Sequence, residues 1–122
     1  MFKSQCHCGN IKLIGNKLPL SVTSCNCSIC NRIGALWAYF TEKDIQITVG
    51  KYPISKYSWG NKTIDFQYCS NCGCSTHYTS TLDDGTNRVA INMRMTSLKI
   101  IDKIPVRQFD GANTWKYINE QE

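Results

Sequence analysis

Apolar and polar residues alternate over short stretches of this chain, and the stretches end at glycine-containing turns. Ile11-Lys12-Leu13-Ile14 runs into Gly15-Asn16, and Ile45, Ile47 and Val49 alternate with Gln46 and Thr48 before Gly50. Alternation with a period of two predicts half-buried strands. Ala35 to Phe40 is apolar throughout and predicts a buried strand. Ile54–Trp59 and Lys62–Tyr68 flank Gly60-Asn61, a hairpin signal. Thr76–Thr81 and Arg88–Asn92 flank Asp83-Asp84-Gly85 and predict a second hairpin. Val106–Phe109 follows Pro105 and stops at Asp110-Gly111, while Thr96–Ile101 is the single stretch with helical character. The last residues, Asn119 to Glu122, are expected to fray. This pattern predicts an all-β fold, a small β-sheet domain spanning residues 1–122, with no linker or repeat.

Composition changes the picture at one point. The chain has 122 residues, 42% of them hydrophobic, and eight are cysteines. A core of this size is modest, and metal would reinforce it. Met1 to Gln5 leads into Cys6 with no apolar signal segment, so the expected compartment is the reducing cytoplasm, where dense cysteines favour metal over disulfides. The apolar run Ala35–Phe40 is too short to span a membrane. The formal charge of +5 is scattered singly. No stripe of Lys or Arg marks a nucleic-acid binder.

The cysteines fall into three clusters, Cys6-His7-Cys8-Gly9, Cys25-Asn26-Cys27-Ser28-Ile29-Cys30 and Cys69-Ser70-Asn71-Cys72-Gly73-Cys74. A C-x-C pair and a distant C-x-x-C pair together signal one closed four-cysteine zinc site. In the middle cluster, a backbone extended at Cys25 and helical after Cys27 aims three sulfurs at one point, with Gly34 ending the helical turn. Zinc requires that convergence, because sulfurs at 2.3 Å from a tetrahedral ion stand about 3.8 Å apart. Three ligands leave a fourth position open, the mark of catalytic zinc. Cys74 is the undecided thiol, either the closing ligand of this second site or a neighbour of the first.

These clusters, with Asn92 and a late Phe109-Asp110-Gly111, resemble the glutathione-dependent formaldehyde-activating enzyme family, whose domain is shared with centromere protein V. The resemblance implies an Mss4-like, zinc-stabilised β-sheet domain. It implies a structural zinc on Cys6, Cys8, Cys69 and Cys72, and a catalytic zinc on Cys25, Cys27 and Cys30. The implied activity is that of a carbon–sulfur lyase, joining formaldehyde to glutathione as S-(hydroxymethyl)glutathione. The expected partners are thus glutathione or another small thiol and a small aldehyde, with no membrane.

Around that site, His77 is the candidate proton shuttle, as a group that titrates near neutrality. Arg32, close to the second cluster, is the first candidate to pair with a glutathione carboxylate, ahead of Arg94 and Arg107. Trp37, Trp59 and Trp115 are expected in the core. The competing reading is a non-catalytic zinc module acting through protein contacts.

Overall fold

The computed structural model describes residues 1–60, 62–118 and 120. Its elements in chain order are Phe2–Gln5 (β1), Ile11–Gly15 (β2), Val22–Cys25 (β3), Ser28–Ile33 (α1), Trp37–Thr41 (β4), Ile45–Val49 (β5), Ile54–Tyr57 (β6), Ile64–Cys69 (β7), Ser75–Thr81 (β8), Asn87–Asn92 (β9), Leu98–Ile101 (α2) and Val106–Phe109 (β10). Short 3-10 turns cover Glu42–Asp44 and Met93–Met95. The fold is the expected small β-rich domain. The hairpin turn after Trp59 places Gly60 and Lys62 at positive φ, while Asn61 lies outside the described residues, as do Asn119, Gln121 and Glu122 of the tail.

Two strands escape the sequence pattern for physical reasons. β1 alternates buried and exposed positions, but one of its two buried residues is Ser4, which hides the period. β3 reads Val-Thr-Ser-Cys and takes its place through pairing with distant residues. Strands β1-β2-β5 form a three-stranded antiparallel sheet. The other seven form a sheet of order β10-β3-β4-β9-β8-β7-β6, antiparallel except for the β10–β3 pair. At Gly15 an added Cβ would fall inside the Phe2 ring, so this glycine lets β1 and β2 pair closely.

The large sheet buries both of its faces. On one face Ala38, Val89 and Ile91 join Phe2, Ile11 and Leu13 of the small sheet in the main core. On the other, Trp37, Phe66, Tyr78 and Ala90 form a second cluster with Cys30. Successive strand residues point to opposite faces. Trp37 and Tyr39 therefore share the second face while Ala38 and Phe40 turn to the core, and the same parity divides Tyr78 from His77.

Candidate metal centres and cavity

The first thiol cluster sits where the β1–β2 turn meets the β7–β8 turn. Gly9 and Gly73, at φ 80° and 78°, let each turn fold back after its cysteine. Their N–H groups donate to the carbonyls of Cys6 and Cys69 at 3.0 and 2.9 Å. The sulfurs of Cys6, Cys8, Cys69 and Cys72 all lie within 4.8 Å of one another. Cys8 Sγ is 3.7 Å from Cys6 Sγ and 3.6 Å from Cys69 Sγ, close to the spacing of about 3.8 Å that tetrahedral zinc imposes. The Ile11 N–H donates to Cys6 Sγ at 3.3 Å, and the Asn71 N–H to Cys69 Sγ at 3.4 Å. Such donors stabilise thiolates. Burial pushes the Cys6 thiol up to about 11. At Cys72 burial also acts upward, but the backbone N–H groups of Cys74 and Cys8 outweigh it and bring the thiol down to about 6.

The second cluster is built by the β3–α1 junction. Cys25 ends β3 in extended backbone, and Cys27 is the N-cap of α1, its Sγ accepting from the Cys30 N–H at 3.5 Å. Gly34 ends the helix at φ 71° and donates its N–H to the Cys30 carbonyl. Cys25, Cys27 and Cys30 thereby bring their sulfurs within 4.8 Å of one another. Cys30 Sγ accepts from the buried Trp37 indole N–H at 3.3 Å. Burial pushes the Cys25 and Cys30 thiols up, against the Trp37 donor in the case of Cys30. Three crowded thiols of this kind ionise together when a cation shares them. Among the described residues no His, Asp or Glu joins either cluster. Cys74 belongs beside the first one, where its thiol takes the His7 backbone N–H, so the second cluster remains a set of three. All eight cysteines are unpaired thiols.

The three-sulfur cluster opens into a cavity of about 690 Å³ over the second face of the large sheet. Trp37, Tyr39, Phe66 and Tyr78 form its floor, with Trp59 at one side and Phe109, Trp115 and Tyr117 at the other. Parallel pairing sets Phe109 directly beside Cys25. The turn after β10 is latched over the cluster by Asn26 and Asp110. Asn26 Nδ2 donates to Asp110 Oδ1 at 3.1 Å, and Asn26 Oδ1 accepts from the Ala112 N–H at 3.0 Å. The Asn26 side chain and the Thr114 and Asn113 donors hold the Asp110 carboxyl below its ordinary range. Gly111 comes so near that a Cβ there would stand 2.6 Å from Cys25 Sγ.

Several expected residues stand elsewhere. His77 is buried on the opposite face, paired across from Ile91, with Nδ1 2.8 Å from the Thr76 hydroxyl. Burial pulls its pKa down to about 4. It does not line the cavity. Arg32 is exposed and its guanidinium donates to the Ser28 carbonyl on its own helix. Arg94 donates to the Gly34 carbonyl. Arg107 pairs with Glu120 at 2.7 Å and stacks on Tyr117. None of the three lines the cavity; the arginine that does is Arg88, whose Cζ lies 4.9 Å from the Tyr39 ring centroid. Trp37 is core and cavity floor at once, but Trp59 and Trp115 are cavity walls, at 47% and 70% exposure. Sequence reasoning missed Tyr39, Tyr78, Tyr117 and Arg88. The available signal was the aromatic pair Trp37 and Tyr39 at strand spacing, two residues apart on the strand that follows the cluster.

The model of the family described as glutathione-dependent formaldehyde-activating enzyme matches residues 1–104. A crystal structure of a Rhodobacter sphaeroides protein is similar with a TM-score of 0.68, covering 85% of this chain and 98% of that one at 24% identity, a likeness of fold. No curated protein matches the chain.

Proposed function

The chain belongs to the glutathione-dependent formaldehyde-activating enzyme family, and from that membership we propose that it is a zinc-dependent carbon–sulfur lyase that adds a small aldehyde to a thiol and releases it in reverse. In the family's named activity the thiol is glutathione and the aldehyde formaldehyde, giving S-(hydroxymethyl)glutathione. The observation that carries this reading is the three-thiol cluster at the head of a cavity, with no fourth ligand among the described residues. The donor set suits zinc, since both clusters consist of soft sulfur ligands that lie within 4.8 Å of one another. Cys6, Cys8, Cys69 and Cys72 would hold a structural ion between the two sheets, and Cys25, Cys27 and Cys30 a catalytic one. Zinc at the second cluster supplies the charge that keeps an incoming thiol deprotonated.

The chain's own groups do the rest. The Trp37 indole holds Cys30 in place through its N–H. In the reaction the thiolate sulfur forms a bond to the aldehyde carbon, the C=O π pair moves to oxygen, and that oxygen takes a proton. Tyr39 and Tyr78 are the phenols on the cavity floor, and burial pushes both above their ordinary range, so they stay protonated as donors to that oxygen. His77, on the far face, takes no part. The aromatic walls exclude water that would compete for the aldehyde. Eight free thiols suit a reducing compartment, the cytoplasm. No helix among the described residues is long and apolar enough to cross a membrane.

The test is formation of S-(hydroxymethyl)glutathione followed by ¹³C NMR with labelled formaldehyde. Zinc-replete protein should raise the exchange rate over buffer, and Cys27→Ser or a chelator should return it to the buffer value. An unchanged rate with two zinc ions bound refutes the proposal.

A further inference from the structure

The cavity lining has a chemistry of its own. Among the described residues, eight aromatic side chains and one charged one, Arg88, line it, and no carboxylate does. Asp110, bonded to Asn26 of the second cluster's loop, spends its oxygens on Asn26, Thr114 and the Asn113 N–H. Arg88 has no acidic partner among the described residues and rests over the Tyr39 ring. Glutathione at neutral pH carries two carboxylates and an ammonium. Here one carboxylate finds a partner, the ammonium finds none, and the peptide amides face rings. Formaldehyde, for its part, fills a small fraction of 690 Å³.

Strand register gives the spacing. Trp37, which touches Cys30, pairs with Asn92, and Tyr39 pairs with Ala90 one side-chain row further. Arg88 starts a row beyond that and folds back over Tyr39. Its guanidinium therefore sits about one row, roughly 7 Å, from the Trp37 end of the cavity. Phe66 and Tyr78 lie in Tyr39's row, and the Tyr78 ring meets both Phe66 and Trp37 edge to face. Phe109, Trp115 and Tyr117 close the other side and lie beyond residues 1–104, the span of the family match.

We propose that the thiol this cavity takes is an aromatic one with a single carboxylate at the far end from its sulfur, the sulfur at Cys25, Cys27 and Cys30, the ring among Trp37, Phe66, Tyr78 and Phe109, and the carboxylate on Arg88; this rests on the reading that the three-cysteine cluster engages a thiol. A para-substituted benzyl thiol has the required span between sulfur and anion.

The probes are 4-(mercaptomethyl)benzoate, its uncharged analogue 4-methylbenzyl thiol, and glutathione, titrated into zinc-loaded protein and followed by tryptophan fluorescence. The aromatic acid should bind about tenfold more tightly than either comparator, the factor expected of one charge-assisted hydrogen-bonded pair. Arg88→Gln should bring the acid down to the affinity of 4-methylbenzyl thiol, with zinc content unchanged as the check of folding. Labelled formaldehyde is then added to each complex. If the acid binds through Arg88 and no thiol gains a hydroxymethyl group faster than in buffer, the proposed reaction fails and the ligand class stands. If glutathione binds as tightly as the acid, if Arg88→Gln leaves the acid's affinity unchanged, or if no aromatic thiol binds, the ligand class is overturned.

Discussion

Gly111→Ala tests the coupling between the C-terminal turn and the three-cysteine cluster. Gly111 is not among the residues at positive φ, so alanine introduces no backbone strain and the effect is steric. The new Cβ would stand 2.6 Å from Cys25 Sγ, 3.2 Å from Cys27 Cβ and 3.5 Å from the Trp115 ring. The first distance is about 1 Å short of ordinary contact. Relief requires either the Cys25 sulfur or the turn to move. The sulfur belongs to a cluster whose members lie within 4.8 Å of one another, and the turn is latched by the paired Asn26 and Asp110 side chains. Overpacking of this kind costs about 1–3 kcal/mol. If the sulfur gives way, that cost falls on metal affinity, a loss of roughly 5- to 150-fold at 1.4 kcal/mol per tenfold. Titration of bound zinc against a chromophoric chelator should show one ion held as in the parent chain and one released earlier. Two unchanged ions would refute the steric argument; loss of both would show that the turn supports the whole fold rather than this cluster.

The two clusters should also separate by substitution. Cys69→Ser should cost soluble protein, since a closed zinc site contributes on the order of 10 kcal/mol of folding free energy, whereas Cys27→Ser should leave a folded chain with one tightly held zinc; equal losses of soluble protein would contradict this division. Trp37→Phe keeps a ring against Phe66 and Tyr78 but deletes the donor to Cys30 Sγ, and a hydrogen bond to a charged group is worth about 1.5–3 kcal/mol, so chelator competition should show at least a tenfold weaker second zinc. His77 is held neutral by burial, with its pKa pulled down to about 4. The unfolded chain takes up a proton near pH 6.5 and the folded one does not, so His77 lowers stability progressively as pH falls from about 6.5 toward 4, by roughly 1.4 kcal/mol per pH unit. Urea unfolding of His77→Gln and the parent chain at matched zinc occupancy should differ in that slope, and parallel curves would refute it.

Ligand spacing was legible in the sequence because it is local. C-x-C followed by C-x-x-C requires only an extended residue, a helical turn and Gly34 to converge three sulfurs, and the β3–α1 junction does this. The knuckles ending at Gly9 and Gly73 were legible for the same reason. Most strands followed from alternation and turn residues, but β1 and β3 did not, since Ser4 is a buried polar residue and β3 is specified by pairing with β10 some eighty residues later. Tertiary structure alone decided the cavity. Both faces of the large sheet are covered, so no polar face reveals the parity of β8, and nothing local says that Tyr78 rather than His77 looks toward the cysteines. Arg88 gained its place through β9 pairing with β4, while Arg32, nearer in sequence, turned back to its own helix. Cys74 was assigned by its thiol's contact with the His7 N–H in the first cluster's turn. The aromatic wall required β10 to lie parallel to β3 and the Asn26–Asp110 latch to fold the last turn over the cluster, contacts across more than eighty residues that no local pattern encodes.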